Sequence, residues 1–269
     1  MKPAQKYTAS QHSRFVEQMG LQITGGELPP RAVLRSDELE ARFASSRSVV
    51  REGLRVLETL GMVSSRRNVG VTILEASSWN VFDPLLIRWR LAGTARQAQL
   101  QSLTQLRSAV EPLAAGLAAG AISAEDGRAL MKLAGDLVAT GNAGDLEAFL
   151  QLDIEFHALI LRASGNEMLS HLSSAVAEVL TGRTHYGLMP EVPRQEARHL
   201  HFVVADAIQR GLADQAETAM RRIVTQAGEE MTTAQAGGLP RAAGAREGAR
   251  EGARQGARQG APEGRPANV

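Results

Sequence analysis

The sequence predicts a mainly α-helical protein in two parts, an N-terminal winged helix-turn-helix with a small β-hairpin wing and a C-terminal all-α helical bundle. Three observations carry this. Helix signals over residues 10–60 are followed by two short β-branched stretches around Arg66-Arg67. From Trp79 to Glu230 apolar residues recur at helical spacing, with no credible strand. The charge is also partitioned: the total is +1, yet residues 1–75 carry +3, residues 76–233 carry −5 and residues 234–269 carry +3. A basic head on an acidic body points to nucleic-acid contact at one end.

The 269 residues leave room for roughly two domains of ~100–200 residues each. The absence of cysteine excludes disulfides, thiolate zinc fingers and a cysteine nucleophile. No apolar run approaches the ~20 residues of a spanning helix, and Met1 to Ser10 lacks the apolar stretch of a signal peptide. The expectation is a cytoplasmic protein with no membrane partner.

In the head, Ser10 can cap a helix whose Phe15, Val16, Met19 and Ile23 share one face, and Gly25-Gly26 stop it. Leu28-Pro29-Pro30 is a rigid connector. Ser36 reads as the cap of a short helix over Asp37–Phe43, followed by a turn at Ala44-Ser45. Ser46 caps a third helix to about Leu60, closed by Gly61, with Val49, Val50, Leu54 and Leu57 as its buried stripe. Arg47, Arg51 and Arg55 recur every four residues along it. Two strands, 62–65 and 71–74, then flank a basic turn. The expected winged helix-turn-helix domain is 10–75, with a linker over 76–95 anchored by Trp79 and Trp89.

The body, 96–233, is expected to hold helices over 96–120, 123–140, 145–163, 166–187, 194–210 and 212–232, with any ligand site between them. The tail, 234–269, repeats Gly-Ala-Arg-Glu or Gly-Ala-Arg-Gln and has almost no apolar bulk to offset its ordering entropy, so disorder is expected. A nucleic-acid tether is the alternative, but Glu247, Glu251 and Glu263 dilute its arginines.

In a helix-turn-helix the start of the second motif helix enters the major groove, where arginine can grip guanine and serine can reach bases or phosphates. Ser46, Arg47, Ser48 and Arg51 occupy that place. A solvated basic face balanced by Glu52 and Glu58 is the bland alternative, which the wing bearing Arg66, Arg67 and Gly70 argues against. Arg35 lies within reach of the backbone. Arg107, four residues before Glu111 and amid Leu103, Leu106, Val110 and Leu113, either pairs with Glu111 at the surface or points inward to fork onto a carboxylate. Asn166, after Gly165, either caps the next helix or contacts ligand.

Leu28-Pro-Pro, Leu34-Arg-Ser-Asp-Glu-Leu, the run Ser46-Arg-Ser-Val-Val-Arg-Glu-Gly-Leu-Arg-Val-Leu-Glu and Gly61-Met-Val together resemble the N-terminal domain of the GntR family of bacterial transcriptional regulators. Ala44-Ser45, where that family usually has Gly-Val, and Asp37, where it usually has Glu, depart from the pattern without removing a DNA-facing arginine. In the body, Leu106-Arg-Ser-Ala-Val-Glu-Pro, Asp153-Ile-Glu-Phe-His157 leading into Ala163-Ser-Gly-Asn166, and His201 with Ala207-Ile208 resemble the effector-binding domain of the FadR subfamily. The resemblance implies that Asp153, His157 and His201 hold a divalent metal beside a carboxylate effector, and it favours the inward role for Arg107. Asp153 and His157 lie at i and i+4, and oxygen-plus-imidazole ligation suits zinc, nickel or manganese. A hydrogen-bonded pair without metal is the alternative, because Ile223 stands where the subfamily has its last histidine. His171, His185 and His199 match no pattern.

The stretch Trp79-Asn-Val-Phe-Asp83-Pro84-Leu-Leu-Ile-Arg88-Trp89 is similar to the linker of the branch containing galactonate-type sugar-acid repressors. The resemblance thus implies a homodimeric repressor on an inverted-repeat operator in double-stranded DNA, released by a sugar acid or related carboxylate. A regulator answering a different carboxylate, or acting as an activator, is the alternative. A helical metal-dependent hydrolase built on Asp153, His157 and His201 is the competing class, but it leaves the winged head unexplained and lacks a carboxylate at general-base spacing.

Overall fold

The computed structural model describes residues 10–190 and 192–236. Helix α1 (Gln11–Thr24) starts where the Ser10 hydroxyl accepts the Ser13 N–H at 3.1 Å, satisfying one of the donors that every helix start leaves free. Its predicted stripe of Phe15, Val16, Met19 and Ile23 is buried. Strand β1 (Val33–Leu34), helices α2 (Ser36–Arg42) and α3 (Arg47–Thr59), and strands β2 (Val63–Arg66) and β3 (Gly70–Ile73) complete the head. Helix α2 begins one residue earlier than expected: Arg35, rather than Ser36, occupies the cap position, and the Glu38 carboxylate accepts its N–H at 2.8 Å. Ser46 caps α3 as expected, its hydroxyl accepting the Val49 N–H at 3.5 Å.

The sheet is antiparallel in the order β1-β3-β2. Strand β1 was not expected, because two residues are too few to show a period-2 pattern; it pairs Val33 with Thr72 and Leu34 with Val71. Gly70 makes that pairing possible, since its φ is +113° and a Cβ there would stand 2.6 Å from the Leu34 carbonyl oxygen.

The segment 76–95, expected as a linker, is instead largely structured. A 3₁₀ turn at Ala76–Ser78 leads to helix α4 (Pro84–Ala92), begun by Asp83, whose carboxylate accepts the Leu85 N–H at 2.9 Å, and by Pro84 in the first turn. Helix α4 belongs to both cores. Leu86 and Trp89 are buried with the head's apolar residues, while Ile87 and Leu91 are buried with those of the body. Trp89 fits a slot that exists because position 20 is glycine: a Cβ there would lie 2.5 Å from the indole.

The body comprises α5 (Arg96–Ala121), α6 (Ala124–Ala143), α7 (Leu146–Ala163), α8 (Glu167–Ser170), α9 (Ser173–His185), α10 (Gln195–Gln209) and α11 (Ala213–Ala236). The single helix expected over 166–187 is two. The chain tightens where the Leu172 N–H reaches the Leu169 carbonyl at 3.1 Å, and the Ser173 hydroxyl donates to the Ser170 carbonyl at 2.5 Å. Helix α11 runs past the expected end at 232; the rest of the tail, 237–269, lies outside the described residues. No described helix is long and apolar enough to cross a membrane.

Candidate nucleic-acid interface and effector pocket

The outward face of α3 meets the wing in a groove of about 340 Å³. Arg47, Arg51 and Arg55 line it from the helix, and Arg66 and Arg67 line it from the hairpin, so five guanidiniums share one surface. All five side chains belong to exposed residues. Glu58 ties the two elements together, its carboxylate accepting the Ser65 N–H at 2.7 Å. Arg55, the third arginine of the i+4 repeat but not among the expected DNA contacts, joins Arg47 and Arg51 in the groove. Its Nη1 donates to both Glu52 oxygens, at 3.2 and 3.1 Å, and Glu52 also lies 3.5 Å from Arg51 Nε.

Arg35 is exposed just before α2 and stands 3.8 Å from Asp37. Ser46 and Ser48 are exposed at the start of α3 with their hydroxyls 3.0 Å apart, Ser46 being also the helix cap. Gly70 lies in the groove, but its close approach to Leu34 accounts for a glycine there without any contact to a ligand.

In the body, Arg107, Asp153, His157 and His201 converge on a single cavity between α5, α7, α9, α10 and α11. Arg107 points inward, yet its partner is its own neighbour: Nε donates to Glu111 Oε1 at 2.6 Å and Nη2 to Oε2 at 3.1 Å. The two alternatives for Arg107 were surface pairing and an inward carboxylate clamp; the structure combines the pairing with the inward direction. Both side chains are buried. Asn166 does not line the cavity. Its side-chain oxygen accepts the Met168 and Leu169 N–H groups at 3.0 and 3.3 Å, which makes it the cap of α8, the alternative to ligand contact.

His157 sits between two carboxylates. Its Nε2 is 3.4 Å from Asp153 Oδ1, and its Nδ1 is 2.9 Å from Glu111 Oε2 but without hydrogen-bond alignment. Burial alone would make the ring less basic; the Glu111 charge and the bond to Asp153 outweigh it and raise His157 to about 9. Burial likewise opposes ionisation of Glu111, but Arg107 and His157 hold its carboxyl down at about 2. Asp153 is also held well below the usual carboxylate range, against burial, by hydrogen bonds from His157 and His201.

The donor set fits a divalent metal on chemical grounds. Ligand atoms of Asp153, His157 and His201 all lie within 4.8 Å of one another. His201 Nδ1 is 2.7 Å from the Ala197 carbonyl oxygen, and a carbonyl only accepts, so that nitrogen carries a proton. Its Nε2 then faces Asp153 Oδ1 at 3.0 Å, an arrangement that requires a cation, either a proton or a metal, between them. Backbone anchoring of the far nitrogen is also how metal-bound imidazoles are oriented. Ile223 lines the same cavity and offers no fourth donor.

Three further charged side chains on the cavity wall had escaped sequence reasoning: Arg183 on α9, Arg194 before α10 and Glu230 on α11. Arg183 Nη2 donates to Glu230 Oε2 at 2.5 Å, and Arg194 Nε lies 3.3 Å from Glu230 Oε1. Arg183 and Glu230 are 47 residues apart, so no local spacing announces the pair.

A winged helix-turn-helix with a basic groove, joined to a helical body with a charged cavity, defines a DNA-binding transcriptional regulator of the ligand-responsive kind. Residues 13–73 match the model of the bacterial regulatory proteins, gntR family, and residues 102–226 match the FCD domain. The chain thus carries a gntR-family helix-turn-helix domain as its head and an FCD domain as its body. It is 28% identical over 216 residues to the galactonate operon transcriptional repressor of Escherichia coli (strain K12), covering 79% of this chain and 93% of that one. It is also 28% identical over 203 residues to the probable D-xylose utilization operon transcriptional repressor of Paenarthrobacter nicotinovorans, covering 74% of this chain and 79% of that one. Among solved structures, Lar, which controls expression of the Listeria monocytogenes agr system, shares the fold with a TM-score of 0.54 at 14% identity, over 85% of this chain and 99% of that one.

Proposed function

We propose that the chain is a cytoplasmic homodimeric repressor that holds an inverted-repeat operator and releases it when a small carboxylate of the sugar-acid type enters the body cavity. The observation that carries this is the pairing of five exposed arginines in the head groove with a buried Arg/Asp/His cavity in the body. Arg47 and Arg51 would read base edges, while Arg35, Arg55, Arg66 and Arg67 would hold the backbone. Two-fold related heads suit an inverted repeat. The second copy is supported by an apolar stripe on α5, where Leu113 and Leu117 are 48% and 41% exposed in line with the half-buried Leu106 and Val110.

A divalent ion such as zinc, nickel or manganese would be held by Asp153, His157 and His201, and would supply a Lewis-acidic contact for an effector oxygen. The chain's own residues do the rest. The cavity is closed to about 20 Å³, against the ~300 Å³ or more that a small ligand needs. Effector entry must therefore move the walls, and that movement supplies the differential affinity without which a ligand shifts nothing. Helix α4, buried in both cores and tied to α9 by the Arg88 to Glu178 pair at 2.5 Å, is the route by which the movement would reach the head.

A thermal-shift screen of sugar acids and hydroxy acids, with and without chelator, tests the proposal. Stabilisation by a sugar acid is the expected result, and chelator-sensitive stabilisation would further support the metal. Indifference to every acid would overturn the effector assignment.

A further inference from the structure

The cavity holds two buried guanidiniums in different states. Arg107 is bidentate on Glu111 through its Nε and Nη2 donors, one edge of the guanidinium. Its Nε–Nη2 edge is thereby taken, which leaves only the Nη1 side to meet an incoming acid. Arg183 is 12% exposed and makes one hydrogen bond, from Nη2 to Glu230, while its buried Nε has no partner. Arg194 shares the same carboxylate, so two guanidiniums divide one counter-ion. Gln226 also donates to Glu230, at 3.0 Å. A buried donor without a partner is costly, and a carboxylate is the group that satisfies a guanidinium fork.

We infer that Arg183, assisted by Arg194, is the side chain that receives the effector's carboxylate, and that Glu230 is an internal carboxylate which occupies this place until the effector displaces it. The inference rests on the effector proposal above and changes which residues carry it. Arg107 becomes a positioning residue that fixes Glu111 against His157. Displacement would free the Glu230 carboxylate from Arg183, Arg194 and Gln226, its partners among the described side chains.

The test compares Arg183→Gln with Glu230→Gln in the full chain, using galactonate and a panel of C4 to C6 sugar acids in calorimetric titration, with operator-type DNA binding as the check that the head is intact. A merely structural ion pair is broken alike from either side, so both variants would bind acid alike. A displaced internal carboxylate gives opposite signs: Arg183→Gln should weaken acid binding by about tenfold or more, and Glu230→Gln should tighten it by about tenfold. Acid binding by the wild type that Arg183→Gln leaves unchanged, or equal weakening in both variants, would overturn this inference and leave the effector proposal standing. Absence of acid binding in both the wild type and Glu230→Gln would overturn the two together.

Discussion

The indole N–H of Trp89 donates to Glu17 Oε2 at 2.8 Å, so the helix leaving the head is pinned to the head's first helix. The ring is fully buried above Gly20. Gly20→Ala should therefore expel or tilt the indole, destabilising the protein by about 1–3 kcal/mol through overpacking. Chemical denaturation followed by fluorescence of Trp89, in a Trp79→Phe background, would show an earlier transition and a red-shifted native spectrum.

Ala44 sits in the turn between α2 and α3 with φ +47°, the left-handed region that side chains bearing a Cβ avoid. The strain of about 1–2 kcal/mol exceeds the roughly 0.5–1 kcal/mol by which glycine's extra freedom favours the unfolded chain. Ala44→Gly is expected to raise stability by up to ~1 kcal/mol in urea denaturation, with DNA affinity unchanged. A fall in stability would show that the turn is unstrained.

Glu111 is buried against Arg107 and His157. Glu111→Gln leaves a buried guanidinium short of its counter-charge and should cost about 3–5 kcal/mol. Replacing both Arg107 and Glu111 with Met and Leu should recover part of that loss. A double variant no better than the single would mean that His157, rather than Arg107, depends on the carboxylate.

How much of this was legible in the sequence follows from the range over which each feature acts. The three head helices and the hairpin announce themselves through caps and stripes of nearby residues, and Asp153 and His157 share a helix face by spacing alone. Strand β1 is two residues long and is defined only by its pairing with β3. Helix α4 reads as a linker because its buried residues alternate between two cores rather than forming one stripe. Arg183, Arg194 and Glu230 meet only through tertiary packing, while Asn166 and Gly70 carry signals that capping and close backbone approach explain equally well.

Ile223 faces the Asp153, His157 and His201 group from the cavity wall. Ile223→His would add a fourth donor, the third nitrogen of the set, and calorimetric titration with zinc should show affinity raised by at least about tenfold. Asp153→Asn should abolish the signal in either background. Zinc binding indifferent to Asp153 would place the ion elsewhere.

In the proposed repressor a basic head and an acid-binding body are coupled in one molecule. The most direct test of this coupling is fluorescence anisotropy on an inverted-repeat DNA selected by this protein from a random pool, titrated with and without galactonate or the best acid of the screen. Tight, salt-sensitive binding is expected, weakened by the acid about tenfold or more. Arg47→Ala should lose the DNA, by about 1–3 kcal/mol for each base-reading contact, while keeping acid-induced thermal stabilisation. Selected DNA held equally well by Arg47→Ala, or unaffected by an acid that demonstrably binds the body, would contradict the proposal.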